Sequence, residues 1–99
     1  MTAETSAGLI AKRIALVEEL TALNARQLLH SQTRGGIEFE LLACAEDIER
    51  NGETAARVAQ RTELENRLSR IADRVEDCDR QLDELTGRLN ELDRELAKT

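Results

Sequence analysis

The chain has 99 residues, with one aromatic side chain (Phe39), no Trp, Tyr or Pro, and 34% charged residues. A chain this short buries only about 60–65% of the surface its unfolded form exposes, and it lacks the aromatic side chains that bury the most area each; both facts argue against a compact enzyme with an enclosed pocket. Fourteen basic against twenty acidic residues leave a net charge of −6, which disfavours nucleic acid or an anionic membrane as a direct partner.

Abundant Ala, Leu, Glu and Arg without proline is the profile of long helices and coiled coils. Cys44 and Cys78 lie 34 residues apart with no His or second Cys beside either, so no zinc spacing exists and no metal or cofactor is expected. Met1-Thr2-Ala3-Glu4-Thr5-Ser6 carries no basic region, and the longest apolar run is Leu41–Ala45. Neither a secretory signal nor a membrane span is expected, and the default compartment is a reducing cytoplasm.

Glycine-containing punctuation divides the chain into three segments. The first, residues 5–33, reads as a helix with Ser6 as its N-cap and Gly35-Gly36 as its stop. Leu9, Ile10, Ile14, Val17, Leu20, Leu23 and Leu28, with Leu16 among them, spread over about half the helix circumference. A face that wide touches two neighbours, so these residues are the candidate face for a partner helix. His30, the single histidine, falls near the expected end of this helix, where a cationic imidazole suits the dipole. It has no second ligand or nucleophile nearby to suggest chemistry.

The second segment, residues 37–50, supports two readings. Ile37, Leu41, Cys44 and Ile48 follow a helical 4, 3, 4 spacing, while Ile37-Glu38-Phe39-Glu40-Leu41 alternates like a half-buried strand. A strand needs a partner edge and no second candidate exists, which favours the helix. Asn51-Gly52 is then a tight turn or a kink. The heptad phase of Ile48 does not carry into the next segment, which favours a real break there.

The third segment, residues 53–99, carries the strongest pattern. Leu64, Leu68, Ile71, Val75, Cys78, Leu82, Leu85, Leu89, Leu92 and Leu96 alternate in steps of four and three without exception. Such a narrow stripe is a heptad seam, with Leu68, Val75, Leu82, Leu89 and Leu96 at a and the others at d. Gly87 falls on the outside, and Glu63–Arg67, Glu76–Arg80 and Glu84–Arg88 are acid-first i,i+4 pairs. Cys78 reads as a small apolar seam residue, and Cys44 in the same way.

Lengths then imply association. A first helix of about 45 Å and a third of about 67 Å, separated by a short second one, leave the stripe from Leu68 to Leu96 without an intramolecular partner. An exposed strip of that size calls for another copy or another protein. Arg74 opposite Asp79 and Arg88 opposite Asp93 of a second chain favour a parallel homodimer, with a tetramer possible because Leu stands at both a and d.

Net charge is +1 over residues 1–36, −4 over 37–52 and −3 over 53–99, so acidity concentrates in Glu38, Glu40, Glu46, Asp47, Glu49 and Glu53. Around that cluster, Leu42–Val75 resembles the amino-terminal coiled coil of the Gre transcript-cleavage factors in its order of helix, acidic tip and helix. The resemblance implies an acidic tip presented to a metal in RNA polymerase, with Asp47 and Glu49 the residues to carry it. The family's Asp-Leu…Asn…Glu-Tyr tip and its carboxy-terminal globular domain have no counterpart here. The expectation is an all-α helical hairpin of two or three helices: residues 1–52 hold helices 5–33 and 37–50 joined by a Gly-Gly turn, and residues 53–99 form the long coiled-coil helix. Its expected role is a non-enzymatic oligomerisation and protein-interaction module: an adaptor, assembly factor or small chaperone. The alternative is an acidic helical inhibitor or regulator of a nucleic-acid-acting complex.

Overall fold

The computed structural model describes residues 5–99. The chain is all-helical, a hairpin of two helices: α1, Ser6–Asn51, and α2, Ala55–Ala97. Among the described residues there is no strand, which resolves residues 37–41 as helix.

The expected Gly-Gly turn is not there. α1 runs through Gly35 and Gly36 without a break, so the two expected helices, 5–33 and 37–50, are one. Neither glycine has a positive φ, and the backbone hydrogen bonds of a helix already in place outweigh the roughly 1 kcal/mol of propensity each glycine costs. The break falls instead at Gly52, whose φ is +84°, a conformation open to glycine at little cost. Its N–H donates to the Ile48 carbonyl (2.8 Å), closing α1 in a left-handed cap.

Threonines start both helices. The Gly8 N–H donates to Thr5 Oγ1 (3.1 Å) and the Arg57 N–H to Thr54 Oγ1 (3.2 Å), so each hydroxyl takes up one of the unpaired donors of a first turn. The cap of α1 is therefore Thr5 rather than Ser6.

Contacts group the chain into two compact units, and this division cuts across the expected one at residue 52. One unit comprises residues 28–77 and includes the turn. Its core is Ile37, Cys44, Leu64 and Ile71, with Leu41, Ile48 and Leu68 packed against them. These are the 4, 3, 4 series of the second segment meeting the start of the long heptad stripe. The Arg67–Glu40 ion pair (3.8 Å) ties the two helices of this hairpin together.

The other unit comprises residues 5–27 and 78–99. Leu9, Leu23 and Cys78 are buried, and Leu16, Leu20, Leu82, Leu85, Leu89, Leu92 and Leu96 are half-buried. Arg13 Nε donates to Asp93 Oδ1 (2.8 Å) and Gln27 donates to Asp79, two links that set one antiparallel register. The stripe of α2 thus has its partner within the chain: an unbroken α1 is long enough to reach residues that a helix ending at 33 would leave uncovered. The geometric requirement for a second chain along that seam falls away.

Candidate functional site

Two surfaces stand out: the turn, where sequence places the acidic cluster, and the side of α1 turned away from α2.

At the turn, Arg57 is the organising side chain. Its Nε donates to Asp47 Oδ2 (2.8 Å), and Nη1 reaches the carbonyls of Asn51 (3.3 Å) and Gly52 (3.1 Å). One guanidinium therefore satisfies the last carbonyls of α1 and ties them to the first turn of α2. Asn51 Nδ2 also donates to Asp47 Oδ1 (2.7 Å). The Asn51 hydrogen bond, followed by that from Arg57, holds the Asp47 carboxyl below its ordinary range. Asp47 is thus committed to the structure of the turn, while Glu49 is exposed. Among the described residues no group of three or more His, Cys, Asp or Glu could hold a metal ion. Cys44 is buried beside the same turn, its Sγ 3.7 Å from the Arg57 carbonyl.

Arg57 is not among the residues that sequence pattern singles out. Its signal was available: an Arg three residues after Thr54, ten after Asp47, and just beyond the Asn-Gly break.

The second surface follows from the helical period. In the turn unit, Ile37, Leu41, Cys44 and Ile48 face α2. At about 100° per residue, Leu28, Gly35, Phe39 and Leu42 fall on the opposite side of α1, with Leu29 and Gly36 on one flank and Glu38 on the other. Leu28 is 60% exposed, Leu29 64%, Phe39 74% and Leu42 59%. A Cβ added at Gly35 or Gly36 would meet nothing within 4 Å. Arg34 and Glu38 pair along the helix (3.5 Å). In the other unit, Ile10, Ile14 and Val17 are also exposed, between about a quarter of a turn and nearly half a turn away from Leu9, Leu16 and Leu23. Among the described residues, every exposed large apolar side chain belongs to α1.

The expected partner-helix face therefore divides. Leu9 and Leu23 are buried and Leu20 is half-buried against α2, whereas Ile10, Ile14, Val17 and Leu28 remain outside. The ten residues expected at an oligomer interface, Leu64 through Leu96, all take buried or half-buried places within the chain. Flanking charges go the same way. Asp93 is held by Arg13, Asp79 by Gln27, and Arg88 by Glu84 at 2.6 Å, where a parallel dimer would have used them between chains. Of the expected i,i+4 pairs, Glu84–Arg88 forms, while Arg67 crosses to Glu40 and Glu63 pairs with Arg70 (3.7 Å). His30 sits half-buried in mid-helix rather than at a carboxyl end, so the dipole rationale for it lapses.

Two grooves run beside the paired segments. One is lined by Glu19, Ala22, Leu23, Arg26, Gln81 and Leu85, the other by Thr33, Ile37, Arg67, Arg70, Ile71 and Arg74. In the second, two of the three arginines are already committed, Arg67 to Glu40 and Arg70 to Glu63. No helix is long and apolar enough to cross a membrane. Comparison with protein-family models, curated proteins and solved structures yields no match to this chain.

Proposed function

We propose that this chain is a non-enzymatic helical interaction module, an adaptor, assembly factor or small chaperone, that docks other protein through the outward side of α1. The observation that carries the reading is the asymmetry between the helices. α2 keeps its large apolar side chains against α1, whereas α1 leaves Leu28, Leu29, Phe39 and Leu42 more than half exposed around residues 28–42. Scattered apolar residues on a surface are ordinary, but four on one short stretch of one helix make the kind of strip that helix-in-groove and helix-bundle partners cover. The expected self-association keeps its place in this reading but moves from the α2 seam to α1, since the seam is covered within the chain.

A photo-crosslinking residue at position 39, compared in cells with one at Asp83 on α2, tests the proposal. Discrete adducts of defined mass from position 39, against none from position 83, are expected. Equal, diffuse labelling from both positions would refute it.

A further inference from the structure

We infer that the outward side of α1 in the turn unit binds a second copy of this chain, antiparallel, with the two α1 helices crossing at Gly35-Gly36. The inference rests on the proposed docking role of this surface and names its occupant.

Three observations combine. First, Gly35 and Gly36 stand in the middle of a continuous helix, and nothing in the chain approaches either one. Each costs helix propensity, and the fold of a single chain offers no reason for a missing Cβ. Two bare backbones side by side are what a close helix crossing needs.

Second, apolar positions lie symmetrically around that point. Leu28 and Leu42 are each seven residues from Gly35, two full turns in either direction. An antiparallel crossing centred on Gly35 places Leu28 level with Leu42 of the second copy and repeats the contact on the other side of the dyad. Phe39, the most exposed of the set, then lies level with the small Ser31 of the second copy. Leu29, on the flank, lies within about 3 Å in level of Ala43 on the same flank of the second copy.

Third, nothing charged opposes close contact: one flank of the strip carries Leu29, Gly36 and Ala43, and the other carries Glu38, already paired with Arg34 of its own helix (3.5 Å).

Size sets the strength. At roughly 100 Å² for each large apolar side chain, four per copy with the glycine backbones and flanking stems remove on the order of 1,000 Å² in total, the lower edge of specific interfaces. The dimer is therefore reversible and depends on concentration.

Sedimentation equilibrium of the full chain, from low micromolar to several hundred micromolar, is the test. A monomer–dimer equilibrium is expected. Phe39→Glu, at a side chain exposed in the single chain, abolishes it. Gly35→Ala with Gly36→Ala raises the melting temperature of the monomer yet weakens the dimer about tenfold, whereas a purely local role for the glycines moves only the melting temperature. Leu28→Cys protein oxidised with Leu42→Cys protein gives the mixed disulfide, because positions 28 of the two copies lie about 21 Å apart along the axis. A monomer at every concentration, a 28–28 disulfide, or a dimer indifferent to the glycine substitutions overturns the inference. In the first case, adducts from position 39 to proteins of another mass would leave the broader docking role standing, so the two failures are distinguishable.

Discussion

Replacing Gly35 and Gly36 together by Ala tests the continuity of α1 more sharply than any other change. Both residues lie in helical backbone, neither has a positive φ, and an added Cβ meets open space at each. Under those conditions the substitution removes backbone freedom from the unfolded chain and nothing from the folded one. Each position contributes about 0.5–1 kcal/mol, so the pair stabilises the hairpin by about 1–2 kcal/mol. For a chain of this size that corresponds to a rise in melting temperature of roughly 5–15 °C. Thermal denaturation followed by far-UV circular dichroism measures it, in a Phe39→Glu background so that self-association does not contribute. If the chain turned at these glycines, one of them would adopt a left-handed conformation, and alanine there would cost at least as much as it gains here. A fall in melting temperature would refute a continuous α1 and restore the three-helix arrangement.

The remaining expectations concern the turn and the seam. Arg57→Ala removes the clasp on Asp47, Asn51 and Gly52 and lowers stability by about 1–2 kcal/mol in urea unfolding, the ion pair itself adding little because it is partly solvated; an unchanged midpoint would show that the turn holds without it. Because the Asp47 carboxyl is depressed in the fold, its contribution is fully present above the unfolded carboxylate range. It is lost as pH falls below about 4 and through the depressed value. Asp47→Asn should therefore reduce stability near neutrality and flatten the acid limb of the stability profile, and an identical acid limb would contradict this. Leu23→Ala should cost about 2–5 kcal/mol and Ile14→Ala less than about 0.5 kcal/mol. Equal losses would mean that both residues share one buried face. Cys78, buried within the chain, should react with a thiol reagent only on unfolding, and rapid labelling of the native protein would contradict its placement.

The α2 stripe was legible because every one of its positions is apolar. Its partner on α1 obeys the same spacing, but the pattern there is masked. Leu9, Arg13, Leu16, Leu20, Leu23, Gln27, His30, Arg34, Ile37, Leu41, Cys44 and Ile48 step by four and three throughout, passing Gly35-Gly36 without a change of phase. Four polar members interrupt the apolar count, and the paired glycines carry the signature of a helix end. Counted outward from the turn, the two series mirror each other: Leu41 falls level with Leu64 and Ile37 with Leu68 in one unit, and Leu23 with Leu82 in the other. A search for mirrored spacing would have found the register that Arg67–Glu40 and Arg13–Asp93 confirm. Exposure of Phe39 could not be read in the same way, because apolar residues stand on more than one side of α1 and only the position of α2 decides which side is covered.

The polar members of that inner series connect the fold to the proposed role. Around residues 28–34 the usual order is inverted: His30 and Arg34 face α2 half-buried, while Leu28 and Leu29 stand outside. Level with them by the mirrored spacing stand Ile71 and Val75, only 5% and 7% exposed, and an imidazole or the stem of an arginine can lie along apolar surface while keeping a polar end in water. A chain selected only for hairpin stability would gain by exchanging these positions, since each leucine moved inward is worth about 1.5–3 kcal/mol. One polar side chain in a seam can also fix register, but it does not account for leucines on the outside at the same turns. The proposed docking role accounts for both: if another helix covers the outward strip, stability withheld from the single chain at residues 28–34 would become available on association, through the same stretch that holds the bare glycines.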